Sequence, residues 1–179
     1  MRTLFTILPL ALTVACGGGA PADKKDEKKP EAGAKADAEP AKKEEPKAEG
    51  PAALDLAKIG LVLEAPAGAT VGDAIGGSGV MIQGPGIVLT VGEASDFYPK
   101  TLEDAKKEAA EMYSGKEIKE ETLDNGWVIT WENEGGLGKN YWVQARRDID
   151  GKSYACSTTA SQPEQQANAL AACKSLKKK

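Results

Sequence analysis

The chain has 179 residues, with 23 Lys plus Arg against 27 Asp plus Glu and no His, for a formal net charge of −4. Without histidine there is no Ser-His-Asp or Cys-His nucleophile, no histidine general base and no histidine-bound zinc or haem. The acidic balance also argues against the basic field that non-specific nucleic-acid binding relies on, so no nucleic-acid partner is expected.

In chain order, the first element is an apolar stretch from Leu4 to Val14 behind a single positive residue, Arg2. As a helix it rises roughly 16 Å, about half of a ~30 Å hydrocarbon core, which suits an export signal and not a permanent span. It closes on Leu12-Thr13-Val14-Ala15-Cys16, followed by Gly17-Gly18-Gly19. This resembles the lipobox of bacterial lipoproteins, with Thr13 where Leu usually stands three residues before the cysteine. The resemblance implies a signal peptide over residues 1–15, cleavage by signal peptidase II after Ala15, and lipidation of Cys16 with palmitate-type acyl chains. Two or three such chains, at ~0.8 kcal/mol per buried methylene, hold a domain on a bilayer durably. The membrane is thus a partner through the lipid, and the location is the bacterial cell envelope. Gly17 in place of Asp after the cysteine favours the outer membrane over the inner one by the enteric sorting rule.

Residues 16–51 form the next unit. From Gly17 to Pro51 there is no aromatic residue and no Leu, Ile, Val or Met, while eight Lys interleave with nine Asp plus Glu. Such a stretch buries too little apolar area to offset its ordering entropy, which predicts a disordered tether. The matching acids weaken the alternative of a lysine-rich arm for peptidoglycan or anionic lipid.

Residues 52–179 are long enough for one domain with one core. Alternating apolar residues predict strands near Ile59–Leu63, Val80–Gln83 and Ile87–Val91, separated by Gly- and Pro-rich turns. Thr101-Leu102-Glu103-Asp104 reads as a capping box with Asp in the Glu place. Leu102, Ala105, Ala109 and Met112 then share one helical face before Gly115. Strands follow at Ile118–Thr122, Trp127–Glu132, Asn140–Ile149 and Lys152–Thr159, with hairpin signals at Asp124-Asn125-Gly126 and Asp150-Gly151. Ser161-Gln162-Pro163-Glu164 reads as a second capping box, opening a helix to about Leu176. Strands, helix, strands, helix give an α+β fold, an antiparallel sheet packed by two helices.

From about Thr101 onward this order resembles the PsbP-like superfamily, which includes photosystem extrinsic subunits and DcrB-type envelope lipoproteins. The resemblance lies in the helix Leu102 to Met112, the Asp124-Asn125-Gly126-Trp127 hairpin, the pair Lys139–Arg147 and Lys152–Thr159, and the closing helix ending Lys174-Ser175-Leu176-Lys177. It implies a non-catalytic docking or accessory role and supplies no set of active residues.

With Cys16 lipidated, Cys156 and Cys173 remain as an even pair in an oxidising envelope. Cys156 lies mid-strand and Cys173 shares a helical face with Leu170 and Leu176, so a disulfide would staple the last helix to the sheet; the alternative is two separate buried thiols. Gly72 to Ser78 has a phosphate-loop-like glycine spacing without the Lys, and Asp148-Ile149-Asp150-Gly151 starts like a calcium loop without its later acids. Both read as hairpin turns, and no metal or cofactor is expected. Glu132 with Glu134 reads as a solvated hairpin end, and Lys177-Lys178-Lys179 as a basic end suited to a helix C-terminus. Trp127, Ile129 and Trp131 alternate onto one strand face, and Trp142, Gln144 and Arg146 onto another. Either set can be core with the other exposed; the first is assigned to the core, and Trp142, Gln144 and Arg146 become the contact-surface candidates.

The function expected is a membrane-anchored, non-enzymatic envelope lipoprotein that binds an envelope protein partner. The alternative is a carboxylate-dependent enzyme on cell-wall or glycan substrate, which needs a concave pocket with two acids ~5 to 9.5 Å apart.

Overall fold

The computed structural model describes residues 50–179. The signal peptide, Cys16 and all but the last two residues of the tether lie outside the described residues.

The first strand, β1 (Ala52–Leu56), leads through a 3₁₀ turn (Ala57–Ile59) into β2 (Leu61–Ala65). Gly60 closes that turn with φ of 70°, a left-handed conformation that costs glycine little, so the strand expected from Ile59 begins two residues later. Then come β3 (Thr70–Asp73), β4 (Val80–Gly84) and β5 (Ile87–Glu93). The Gly72–Ser78 segment is the end of β3 and the turn into β4, as its reading as a hairpin required.

Helix α1 (Leu102–Glu111) starts where the capping box stands. The Thr101 hydroxyl accepts the Asp104 N–H at 3.1 Å and donates to the Asp104 carboxylate at 2.7 Å. Ala105 and Ala109 are buried, but Met112 is 74% exposed and leaves the expected face. Ser114, not Gly115, takes the left-handed position after the helix. Gly115 serves close approach instead: a Cβ there would lie 2.7 Å from Trp131 Cδ1.

Strands β6 (Lys116–Leu123), β7 (Gly126–Gly135), β8 (Gly138–Ile149) and β9 (Lys152–Ala160) run as consecutive hairpins, followed by α2 (Pro163–Ser175) and β10 (Lys177–Lys178). Asp150 and Gly151, both at positive φ, turn β8 into β9. The second capping box is displaced: Gln162 is the N-cap without a side-chain bond, and Gln165 accepts from Ser161 N–H and hydroxyl in place of Glu164.

The fold is mixed α/β, mostly strand, with every pairing antiparallel. The strands fall into two sheets where one was expected: a small one ordered β1-β2-β10 and a large one ordered β3-β4-β5-β9-β8-β7-β6. The reason is that β2 buries Leu61, Leu63 and Ala65 against the large sheet's face instead of extending its edge. Together with α2, it covers one face through Ile82, Leu89, Val91, Val143 and Ala145. A second cluster on the opposite face joins α1 to Trp127, Ile129 and Trp131. Among the described residues, no helix is long and apolar enough to cross a membrane.

The disulfide between Cys156 and Cys173 is present, with Cα atoms 5.8 Å apart, and it ties α2 to the middle of β9. Beside it Arg147, 8% exposed, donates through Nη1 to the Cys173 and Lys174 carbonyls at 2.6 Å and through Nε to Asn125 Oδ1 at 2.9 Å. It thereby satisfies carbonyls at the C-terminal end of α2. Burial pulls the guanidinium pKa down from its ordinary value. The C-terminal lysines are engaged as well: Lys177 and Lys178 extend β2's sheet, Lys178 pairs with Asp150, and Lys179 pairs with Asp55 at 2.5 Å.

Candidate binding cleft

Strand register decides what the second face of the large sheet offers. Across β7 and β8, Trp127 pairs with Arg146, Ile129 with Gln144 and Trp131 with Trp142. Residues directly opposite in an antiparallel pair project to the same face. The two alternating sets are therefore one surface, not a core face and an exposed face. The polar row continues sideways, since Gln144 pairs with Ser157, and Ser157 with Thr90 of β5. One row along, Trp142 pairs with Thr159.

Helix α1 packs mainly over β6 and β7 and reaches β8 through Glu108, so the face formed by β9 and β5 stays open beside it. The result is a cleft of about 380 Å³. Thr90, Gln144, Ser157 and Thr159 lie along its floor; Glu108 of α1, Tyr113 and Trp142 form one wall; Phe97, Tyr98 and Pro99 form another part of the rim.

The aromatic wall is held by specific bonds. Trp131 and Trp142 stack with planes 5° apart and centroids at 5.4 Å, and Tyr113 leans on Trp142 at 4.9 Å. Trp131 and Tyr113 both pack on Trp142, which stays half-buried and lines the cleft beside Thr159. Asn133 fixes the group: its Oδ1 accepts from Trp142 Nε1 at 3.0 Å and from Asn140 Nδ2 at 3.1 Å, while its Nδ2 donates to the Tyr113 carbonyl at 2.8 Å. On the opposite rim the Tyr98 hydroxyl donates to the Ala145 carbonyl at 3.1 Å. Burial pushes its pKa far above the ordinary phenol value.

Three buried polar atoms of the lining residues have no hydrogen-bond partner: Trp131 Nε1, Thr158 Oγ1 and, on the floor, Gln144 Oε1. Gln144 is 7% exposed, and its Oε1 has no hydrogen-bond partner, while its Nε2 reaches Glu108 at only 3.5 Å. Phe97 stands at the rim 96% exposed. Glu108 is the single charged side chain among the residues lining the cleft.

Of the three contact candidates read from the sequence, Trp142 and Gln144 line this cleft. Arg146 does not; it donates to Ser153 Oγ at 2.6 Å and lies 3.7 Å from Asp148. Thr90, Glu108, Tyr113, Ser157 and Thr159 were not singled out. Ser157 and Thr159 share one face of β9, but Thr158 and Tyr154 carry hydroxyls on the other, so the strand's composition did not mark which face would line a site. Glu132 belongs to β7 and pairs with Lys139 at 2.5 Å, while Glu134 is exposed at the end of the strand. Among the described residues no cluster of acids and cysteines has the arrangement to hold a metal ion. A second hollow, of about 300 Å³, is lined by Lys58, Glu93 and Lys152 among others. Its lysines are already bonded to Asp73 and Glu93.

No family model matches the chain, and no curated protein matches it.

Proposed function

We propose that the protein is a membrane-anchored envelope lipoprotein whose folded domain is a non-catalytic binding module, with the cleft beside α1 as its binding site. The observation that carries the reading is the cleft itself: aromatic rings and neutral hydrogen-bonding groups converge in a preformed hollow on a sheet face that α1 leaves uncovered. Hydrolysis by paired carboxylates needs a second acid facing the first, and Glu108 stands alone among the lining residues. The anchoring half of the proposal rests on the sequence around Cys16, with the acyl chains holding the domain at the outer membrane and residues 17–51 as its spacer. The disulfide suits an oxidising compartment such as the envelope. The order of strands and helices from Thr101 onward is the support for a PsbP-like fold and an accessory role.

Site-specific photo-crosslinking in intact cells tests the site. A photoreactive residue in place of Thr159 or Phe97 should give a discrete adduct, and one in place of Ile75, in the β3–β4 turn, should not. Equal adducts from all positions would overturn the cleft as the site. For the anchor, Cys16→Ser should abolish incorporation of a labelled fatty acid; unchanged labelling would refute lipidation.

A further inference from the structure

We infer that the cleft takes a neutral saccharide, stacked on Trp142 and hydrogen-bonded to Gln144, Ser157 and Thr159; this rests on the cleft being the binding site. Three observations narrow the ligand class. The first is charge. With Glu108 as the only charged lining group and no Lys or Arg, nothing compensates a phosphate or carboxylate ligand. The second is the floor. Hydroxyls and a carboxamide both donate and accept, which matches sugar hydroxyls and makes the floor a poor seat for an acyl chain. The third is strand order. β5, β9 and β8 are interior strands with neighbours on both sides, so the floor offers no open edge for a peptide to pair with.

The unpartnered Gln144 Oε1 gives the site its specificity. A buried acceptor left without a donor is costly; Oε1 is sealed from water in the ligand-free arrangement, and a small turn of the carboxamide toward the cleft would let a sugar hydroxyl supply the donor. The part of the half-buried Trp142 ring that lines the cleft supplies an apolar surface on which the C–H side of a sugar ring can lie, with its indole N–H already committed to Asn133 at 3.0 Å. Its plane is fixed before ligand arrives, because Trp131 and Tyr113 pack against it.

The test uses the full chain in a detergent that carries no sugar, labelled with ¹⁵N in the indole rings of its three tryptophans. Cellotetraose, chitotetraose and maltotetraose are titrated to about 10 mM, alongside a neutral Gly/Ser/Ala pentapeptide. The expected result is that at least one tetrasaccharide moves the Trp142 indole signal saturably and leaves Trp127 in place. Gln144→Ala should weaken that binding about tenfold, the loss of one well-placed hydrogen bond. If Gln144→Ala misfolds, Thr159→Ala at the exposed end of the floor replaces it, with the amide spectrum as the check on folding. No shift from any tetrasaccharide overturns the saccharide assignment, and the photo-crosslinking then decides separately whether the cleft binds anything. A Trp142 shift from the peptide alone overturns the saccharide while retaining the cleft. Saccharide binding that is unchanged in the folded floor variants overturns the placement on the floor.

Discussion

Reducing the Cys156–Cys173 bond is the cleanest perturbation of this fold, because it removes a cross-link and changes the chain only by adding two hydrogens. The two cysteines lie 17 residues apart and both are fully buried, at the junction of β9 and α2. Closing a loop of that size removes ~3 kcal/mol of unfolded-chain entropy in the loop-closure model. For a folded part of about 130 residues the unfolding entropy is ~0.27 kcal/mol per kelvin, so the melting temperature should fall by about 10 °C. Helix α2 would stay docked in the reduced protein, since Ala169, Ala172 and Leu176 remain buried and Arg147 still holds the Cys173 and Lys174 carbonyls. The loss should therefore appear as a lower midpoint with cooperativity kept. The assay is thermal unfolding by circular dichroism of the full chain carrying Cys16→Ser, compared before and after unfolding and refolding under a phosphine reductant. Intact mass should show the oxidised form two hydrogens lighter. A shift under about 3 °C would refute the reasoning, because the unfolded chain would then gain little freedom from the cut.

Arg147→Met removes the three hydrogen bonds to Asn125, Cys173 and Lys174 and should destabilise the domain by ~2 kcal/mol, read as a lower urea midpoint. An unchanged midpoint would mean that solvent caps α2 equally well. Gly115→Ala, which places a methyl 2.7 Å from the Trp131 ring, should cost ~1 to 3 kcal/mol, whereas Gly136→Ala, with open space around it, should be near neutral. Equal midpoints for the two variants would remove close approach as the reason for Gly115. Tyr98 prefers its neutral form more strongly in the folded state than in the unfolded chain, so its stabilising share is full below pH ~10 and is lost as pH rises above that. Tyr98→Phe should accordingly show a smaller loss of urea midpoint than the parent between pH about 8 and about 10.5; an identical loss would place the alkaline sensitivity in other groups.

Much of the framework was legible because it is written in local chemistry. The Thr101 cap, the Asp150-Gly151 turn and the period-two pattern of β7, β8 and β9 depend on neighbours a few residues away, and each stands where the residues put it. The disulfide was legible from a count and two faces: Cys156 buried mid-strand, Cys173 beside Leu176 on the helix. What escaped was non-local. Neither β1 nor β10 has a pattern of its own, and both exist because β2 offers them an edge at either side. Ser161 looked like an N-cap because of Glu164, but Gln165 reaches Ser161 N–H instead, and that competition is settled by side-chain geometry.

The cleft shows the same limit at the level of the site. Trp127-x-Ile129-x-Trp131 and Trp142-x-Gln144-x-Arg146 were each read correctly as alternating, yet alternation fixes only which residues of one strand share a face. Which face of β7 meets which face of β8 is set by register, and the register Trp131 to Trp142 follows from the Gly135–Gly138 hairpin. A slip of one residue would send Trp142, Gln144 and Arg146 to the α2 side, where Val143 and Ala145 now sit. Once the pairing is known, the division of labour along that surface has a steric cause. Helix α1 is ten residues long and presents alanines, so it lies close over Trp127, Ile129 and Trp131 and meets β8 only at its margin, through Glu108 and Trp142. Beyond it the sequence carries Gln144, buried under Glu108, and then Ser157, Thr159 and Thr90 on the same face that is apolar under α1. Trp142 stands at the boundary, packed on Trp131 and Tyr113 yet half-buried and lining the cleft, which is the position from which an aromatic ring can serve the core and a ligand at once.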